Sequence, residues 1–112
     1  MPQDAAKKHT FYRSLFENSY SIMLIIDPVT GIIFDANKAA LNFYQYSKNE
    51  LMDKNISDIN CLSEKEIKTE MQNAKLQKRN YFNFRHRLKN GEEKFVEVYS
   101  GPIEFEHKEL LY

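Results

Sequence analysis

Tryptophan is absent, cysteine occurs once, and glycine and proline occur three times each in this chain of 112 residues. The lone Cys61 rules out an internal disulfide and suits a reducing compartment, so a cytoplasmic location is expected, or the cytoplasmic part of a membrane-anchored protein. Glycine this scarce implies a backbone task at each position. No apolar run approaches the ~20 residues that cross a bilayer, and the N-terminal MPQDAAKKHT lacks the apolar centre of a signal peptide. Lys and Arg number 16, as do Asp and Glu. That balance leaves no strong field for the phosphates of nucleic acid, which is not expected as a partner. What is present is ordinary for one domain: 42% apolar and 29% charged residues, with eight Phe and seven Tyr. Such a chain can bury roughly two-thirds of its unfolded surface, enough for one core.

The stretch Ser21–Asn37, SIMLIIDPVTGIIFDAN, organises the rest. Two short apolar runs, Ile22–Ile26 and Ile32–Phe34, flank a Pro/Gly turn and read as a β-hairpin. Neither run alternates strictly, which suits strands in the middle of a covered sheet better than an open edge. Ahead of it, His9–Asn18 carries Phe11, Tyr12, Leu15 and Phe16 at helical spacing, with Thr10 as a candidate N-cap. So short a helix must pack on something to persist.

After the hairpin, Asn37 is a suitable N-cap for a helix over Lys38–Tyr46. Ser47/Glu50 and Ser63/Glu66 have the spacing of capping boxes. The first opens a short helix to about Asp53. The second opens the longest helix in the chain, to about Lys78, with Ile67, Met71 and Ala74 along one narrow stripe. Between them Ile56, Ile59 and Leu62 suit one helical turn with its apolar side inward.

Tyr81–Leu88 alternates, with Phe82, Phe84, His86 and Leu88 on one face. Lys89-Asn90-Gly91 turns the chain, and Glu92–Ser100 returns. A three-residue loop with Gly91 left-handed places Phe84 opposite Val96 and Arg87 opposite Glu93. That register keeps Phe82, Phe84, Val96 and Val98 together, whereas a slip by one turns them all outward. The other face carries Tyr81, Phe95 and Tyr99, so it should be covered by the Phe11–Phe16 helix or by another protomer. Gly101-Pro102 should bulge the strand, Ile103 and Phe105 continue it, His107-Lys108-Glu109 turns, and Leu110–Tyr112 begins a last strand. Strands segregated from a helical block imply an α+β fold with an antiparallel sheet.

This order resembles the PAS domain of bacterial sensory-box type. Ile25-Ile26-Asp27 with Gly31-Ile32-Ile33 looks like its first hairpin, and Asn37-Lys38-Ala39-Ala40 resembles its Asn-x-Ala-Ala helix start. Tyr46-Ser47 with Glu50-Leu51 resembles its Gly-Tyr-Ser-x-x-Glu-Leu element, with Gln45 in place of Gly. Asn90-Gly91, Val96-Glu97-Val98 and Pro102-Ile103 match its last long hairpin. The resemblance implies a PAS-like antiparallel sheet of five strands, the last truncated at Leu110–Tyr112, with helices packed on one face and a small cavity between. It implies a lead-in helix over 1–19, a possible dimerisation element, and a C-terminally truncated PAS domain over 20–112. The missing part of the fifth strand would leave unpaired edges on both neighbours, which a strand exchanged from a second protomer could fill. A fragment of a longer signalling protein is therefore expected.

No catalytic set is recognisable. His9, His86 and His107 are scattered without metal-ligand spacing, and His86, beside Phe84 and Leu88, reads as a packed histidine. The resemblance raises two cofactors, and neither is expected. Haem would need a histidine on the helix Glu64–Arg79, which has none. Covalent flavin would need Arg-Phe-Leu-Gln after Asn60-Cys61, which does not follow. The expected function is small-ligand sensing and homodimerisation within a signalling protein, with a diguanylate cyclase or histidine kinase as the enzymatic output and no catalysis in this fragment. Tyr44, Met71, Phe82, Phe84 and Val96 are the expected pocket, and Phe11, Leu15, Phe95 and Tyr99 the expected dimer or outer face. The alternative is a ligand-free fold that only holds protomers together.

Overall fold

The computed structural model describes residues 2–112, with side chains from Ala5 on. Met1, the first residue of the expected lead-in, lies outside the described residues. The order is α1 (Pro2–Asn18), β1 (Leu24–Ile26), β2 (Ile33–Ala36), α2 (Lys38–Tyr44), α3 (Lys48–Met52), a 3-10 turn (Ile56–Asp58), α4 (Glu64–Lys75), β3 (Tyr81–Arg87), β4 (Glu93–Tyr99), β5 (Pro102–Phe105) and β6 (Lys108–Leu111). The architecture is α+β with antiparallel pairing throughout.

Local chemistry sets the helical block. Asn37 caps α2 by accepting from the Ala40 N–H, and Gln45 closes that helix in the left-handed region at φ 67°. Ser47/Glu50 and Ser63/Glu66 both form reciprocal capping boxes, as their spacing requires. A third such box, Asn55/Asp58, starts the 3-10 turn. Ile33, Ala36, Ala40, Leu51, Ile59, Ile67 and Leu88 are buried in one cluster between these helices and the strands.

The β3–β4 register places Phe84 opposite Val96 and Arg87 opposite Glu93. Gly91 turns at φ 89°. Its N–H donates to the Leu88 carbonyl, and the Leu88 N–H donates to that of Glu92. These bonds close the three-residue loop that the alternation demanded.

With β4 and β5 counted as one strand bulged at Ser100-Gly101, the expected five strands are present, and hydrogen bonding divides them into β2-β1-β6-β5 and β3-β4. Several other expectations need correction. β2 lies at a sheet edge rather than in the middle, and Ile32 and Phe34 are exposed. The last strand starts at Lys108, because Glu106 and His107 both adopt positive φ and make the tight turn themselves. Lys108 Nζ then reaches Asp27 Oδ2 at 3.0 Å. Helix α1 is longer than the aromatic stripe, so Thr10 is not its N-cap; its hydroxyl donates to the Ala6 carbonyl inside the helix. Nor does α1 cover the outer sheet face. It packs on α2, with Arg13 paired to Asp35. Phe95 and Tyr99 remain 87% and 68% exposed.

Candidate functional site

Helices α2 and α4 and the 3-10 turn stand off the inner face of β3 and β4. Between them, and continuing out through the gap between Ser21–Leu24 and Lys94–Ser100, lies a half-open cleft of about 810 Å³, lined mainly by apolar side chains. That volume falls in the range of small-ligand sites. Tyr44, Met71, Phe82, Phe84 and Val96 all line it, together with His86 and Asn60. Phe11 and Leu15 lie apart, on the exposed side of α1, and Phe95 and Tyr99 project from the outer face of β4.

The alternation of β3 explains the wall. Phe82 and His86 are buried and Phe84 is half-buried, whereas Tyr81, Asn83, Arg85 and Arg87 are exposed. The rings of Phe82, Phe84 and His86 stack in sequence, with centroids 5.2 and 5.9 Å apart. From α2, the Tyr44 hydroxyl reaches His86 Nδ1 at 2.7 Å. Both residues are nearly dry. Burial pushes the imidazole pKa down to about 4 and the phenol upward from its ordinary value. His86 Nε2 is buried and has no hydrogen-bond partner among the described residues.

Asn60 is a neighbour in the wall. It pairs with His86 in an isolated antiparallel bridge. The flanking bonds run from Arg87 N–H to Ile59 O and from Cys61 N–H to Arg85 O. Asn60 and His86 are thus a non-hydrogen-bonded pair, the geometry in which side chains stand closest on one face. The cavity also opens along a slot between Ser21–Leu24 and Lys94–Ser100. β6 lies between the two flanks of the sheet only as far as the Ile26–Leu111 pair.

A PAS-domain sequence profile matches residues 20–112. The chain belongs to the PAS domain family. This PAS domain is 36% identical over 107 residues to the diguanylate cyclase DgcM of Escherichia coli, an alignment covering 94% of the chain. It spans only 26% of that relative's length. Its fold is similar to the PAS domain of an HTR-like protein from Haloarcula marismortui, with TM-score 0.84, 19% identity, and 98% and 92% of the two chains covered. It is also similar to a PAS domain from a two-component sensor histidine kinase, at TM-score 0.75 and 19% identity, covering 96% and 93%. The chain is accordingly a PAS sensory domain related to signal-transduction proteins.

Sequence reasoning named five wall residues but passed over the two polar ones. His86 was visible as a histidine in step with Phe84 and Leu88. Asn60 had no signal, because a single bridge carries no periodicity. Among the described residues, no group of three or more His, Cys, Asp or Glu is placed to hold a metal ion, and no helix is long and apolar enough to cross a membrane.

Proposed function

We propose that this PAS domain binds a small, largely apolar molecule between the β3–β4 sheet and helices α2 and α4, and passes its occupancy to an attached output domain. The observation behind this reading is the cleft of about 810 Å³, with Tyr44, Met71, Phe82, Phe84 and Val96 on its wall. A ligand held there biases the output only by its differential affinity for two arrangements of the sheet and helices. The similarity to the diguanylate cyclase DgcM supports such a cyclase as the output, and the single cysteine supports a cytoplasmic setting. A further strand in the slot beside β4, from the same polypeptide or a second copy, would close the open side of this cleft and leave the ligand its inner part, against Tyr44, Met71, Phe82 and Phe84. Native mass spectrometry of the purified protein tests the reading. A co-purified small molecule that is lost in Met71→Trp, a cavity-filling change, supports it; an empty protein whose melting temperature no ligand library raises overturns it.

The second reading is a homodimerisation module with no ligand. The exposed aromatic pair Phe95 and Tyr99 on the outer face favours it, as do Phe11 and Leu15 on α1. A homodimer is compatible with both readings, which are told apart by whether the cavity is used.

A further inference from the structure

Helix α1 is attached lightly. None of its described side chains is buried, and only Phe16 and Glu17 are half-buried. No α1 side chain belongs to the apolar core. A helix of 17 residues is marginal in water without such burial.

Its polar attachment is a ring of four charges. Arg13 Nη1 donates to Asp35 Oδ2 on β2, and Arg13 Nη2 lies 2.7 Å from Glu17 Oε1. Lys48 Nζ, from the first residue of α3, lies 3.6 Å from Asp35 Oδ1 and 3.7 Å from Glu17 Oε1. Cations and carboxylates alternate around the ring, so every neighbouring pair attracts. The Asp35 and Glu17 side chains are only 17% and 24% exposed. Isolated surface ion pairs contribute little, whereas a closed network around covered carboxylates is screened less and contributes more.

Local rules alone would arrange these residues otherwise. Within a helix, an acid four residues ahead of a base is the better order, and Arg13–Glu17 is the reverse. Lys48 meets the positive end of α3. Each placement is disfavoured inside its own helix and favoured by the charge it meets across the gap between α1 and the core.

The chain is pinned again directly after α1. Asn37 Nδ2 donates to Ser21 O, and Asn37 Oδ1 accepts from the Met23 N–H. Between this anchor and the end of α1 at Asn18 stand Ser19 and Tyr20, the latter fully exposed.

We infer that α1 is an arm hinged at Ser19-Tyr20 with two states: docked as a helix by the four-charge ring, and released when the ring is screened or its charges are contested. Release costs α1 its one polar hold, and with it much of its helix. The device goes beyond the ligand-binding reading and needs no occupant in the cleft.

Reversing the ring by halves tests it. Arg13→Glu with Glu17→Arg keeps the pair inside α1 and puts it in the better order, so the helix on its own gains. The same change sets a carboxylate against Asp35 and a guanidinium against Lys48. Asp35→Lys with Lys48→Glu reverses the other half. Amide exchange of α1, followed by mass spectrometry, should speed up about tenfold in either half-reversed protein, with α4 and β3 unchanged. All four substitutions together restore the alternation and should bring α1 exchange back close to that of the unmodified protein. Raising NaCl from about 0.05 to about 1 M, where the Debye length is only ~3 Å, should speed α1 exchange in the unmodified protein and slow it in the half-reversed ones. Exchange in α1 that is unchanged or slowed by Arg13→Glu with Glu17→Arg would overturn the inference. So would a fourfold variant as fast as the halves, or a general speeding across α4 and β3. None of these outcomes bears on whether the cleft holds a ligand.

Discussion

The Tyr44 hydroxyl and the His86 imidazole, forty-two positions apart in sequence, meet at 2.7 Å beneath the sheet. The contact ties the last residue of α2 to the C-terminal end of β3, so the helical block and the long hairpin are coupled through a pair of polar groups inside an apolar wall.

Acid should weaken the fold through this pair. Burial holds the folded-state pKa of His86 near 4, against an ordinary value of 6.5. Between those values the unfolded chain binds a proton that the folded chain does not. Stability is therefore complete above about pH 6.5 and declines as pH falls toward about 4, by up to ~3 kcal/mol. Urea titrations across this window should show the slope, and His86→Leu should flatten it. An unchanged slope in that variant would assign the acid sensitivity elsewhere.

Asn37 should be the most costly cap to remove. Its Oδ1 accepts from Met23 N–H at 3.1 Å and Ala40 N–H at 3.0 Å, while its Nδ2 donates to Ser21 O at 2.8 Å. The residue is fully buried, so Asn37→Ala strands backbone groups of both α2 and the approach to β1. A loss of ~2–3 kcal/mol is expected, against ~1 kcal/mol for Ser47→Ala at the exposed cap of α3. Chemical denaturation of the two variants compares them directly.

Two glycines with left-handed backbones should differ. At Gly31, φ is 79° and an added Cβ would sit 2.6 Å from Asn55 Oδ1. That same amide donates to Thr30 O and its oxygen receives the Ser57 N–H. At Gly91, φ is 89° and the space around it is open. Gly91→Ala should cost ~1 kcal/mol for backbone strain alone. Gly31→Ala should cost at least twice that, read as a larger fall in melting temperature.

The outer face gives a prediction about assembly rather than stability. Phe95 lies opposite Arg85, and Tyr99 opposite Tyr81, on the solvent side of the hairpin. Phe95→Glu, which keeps an attractive partner for Arg85, with Tyr99→Lys should cost the monomer no more than about 1 kcal/mol, chiefly the lost Tyr81–Tyr99 ring pair. If this face joins protomers, light scattering should show the unmodified protein as a dimer and the double variant as a monomer. A dimer unaffected by the change would move the interface elsewhere, with α1 the next surface to alter.

Much of the fold could be read from the residues because local rules and burial agreed. The β3–β4 register followed from alternation together with a turn only Gly91 could make easily, and both serine capping boxes followed from a three-residue spacing. The turn at Glu106-His107 was misplaced by one residue because neither side chain announces positive φ. The edge position of β2 and the bare face around Phe95 depend on which surfaces meet, which a strand's own apolar pattern does not encode. For the candidate site, Met71 and the ring stack on β3 were legible as core. The polar part of the wall was not, since Asn60 and His86 meet only through a bridge across twenty-six positions.

The one-sided pairing of β4 leaves an asymmetry along its own length. The hydrogen-bonded pairs of the β3–β4 ladder are the even positions, fixed by Leu88 N–H to Glu92 O at one end and Ser100 N–H to Asn80 O at the other. The amides of Phe95, Glu97 and Tyr99 consequently aim at the slot instead of at β3. Deuterium should enter at those three positions well before it enters at Lys94, Val96 and Val98. Whatever seats itself alongside them would announce its arrival as the loss of that odd–even rhythm.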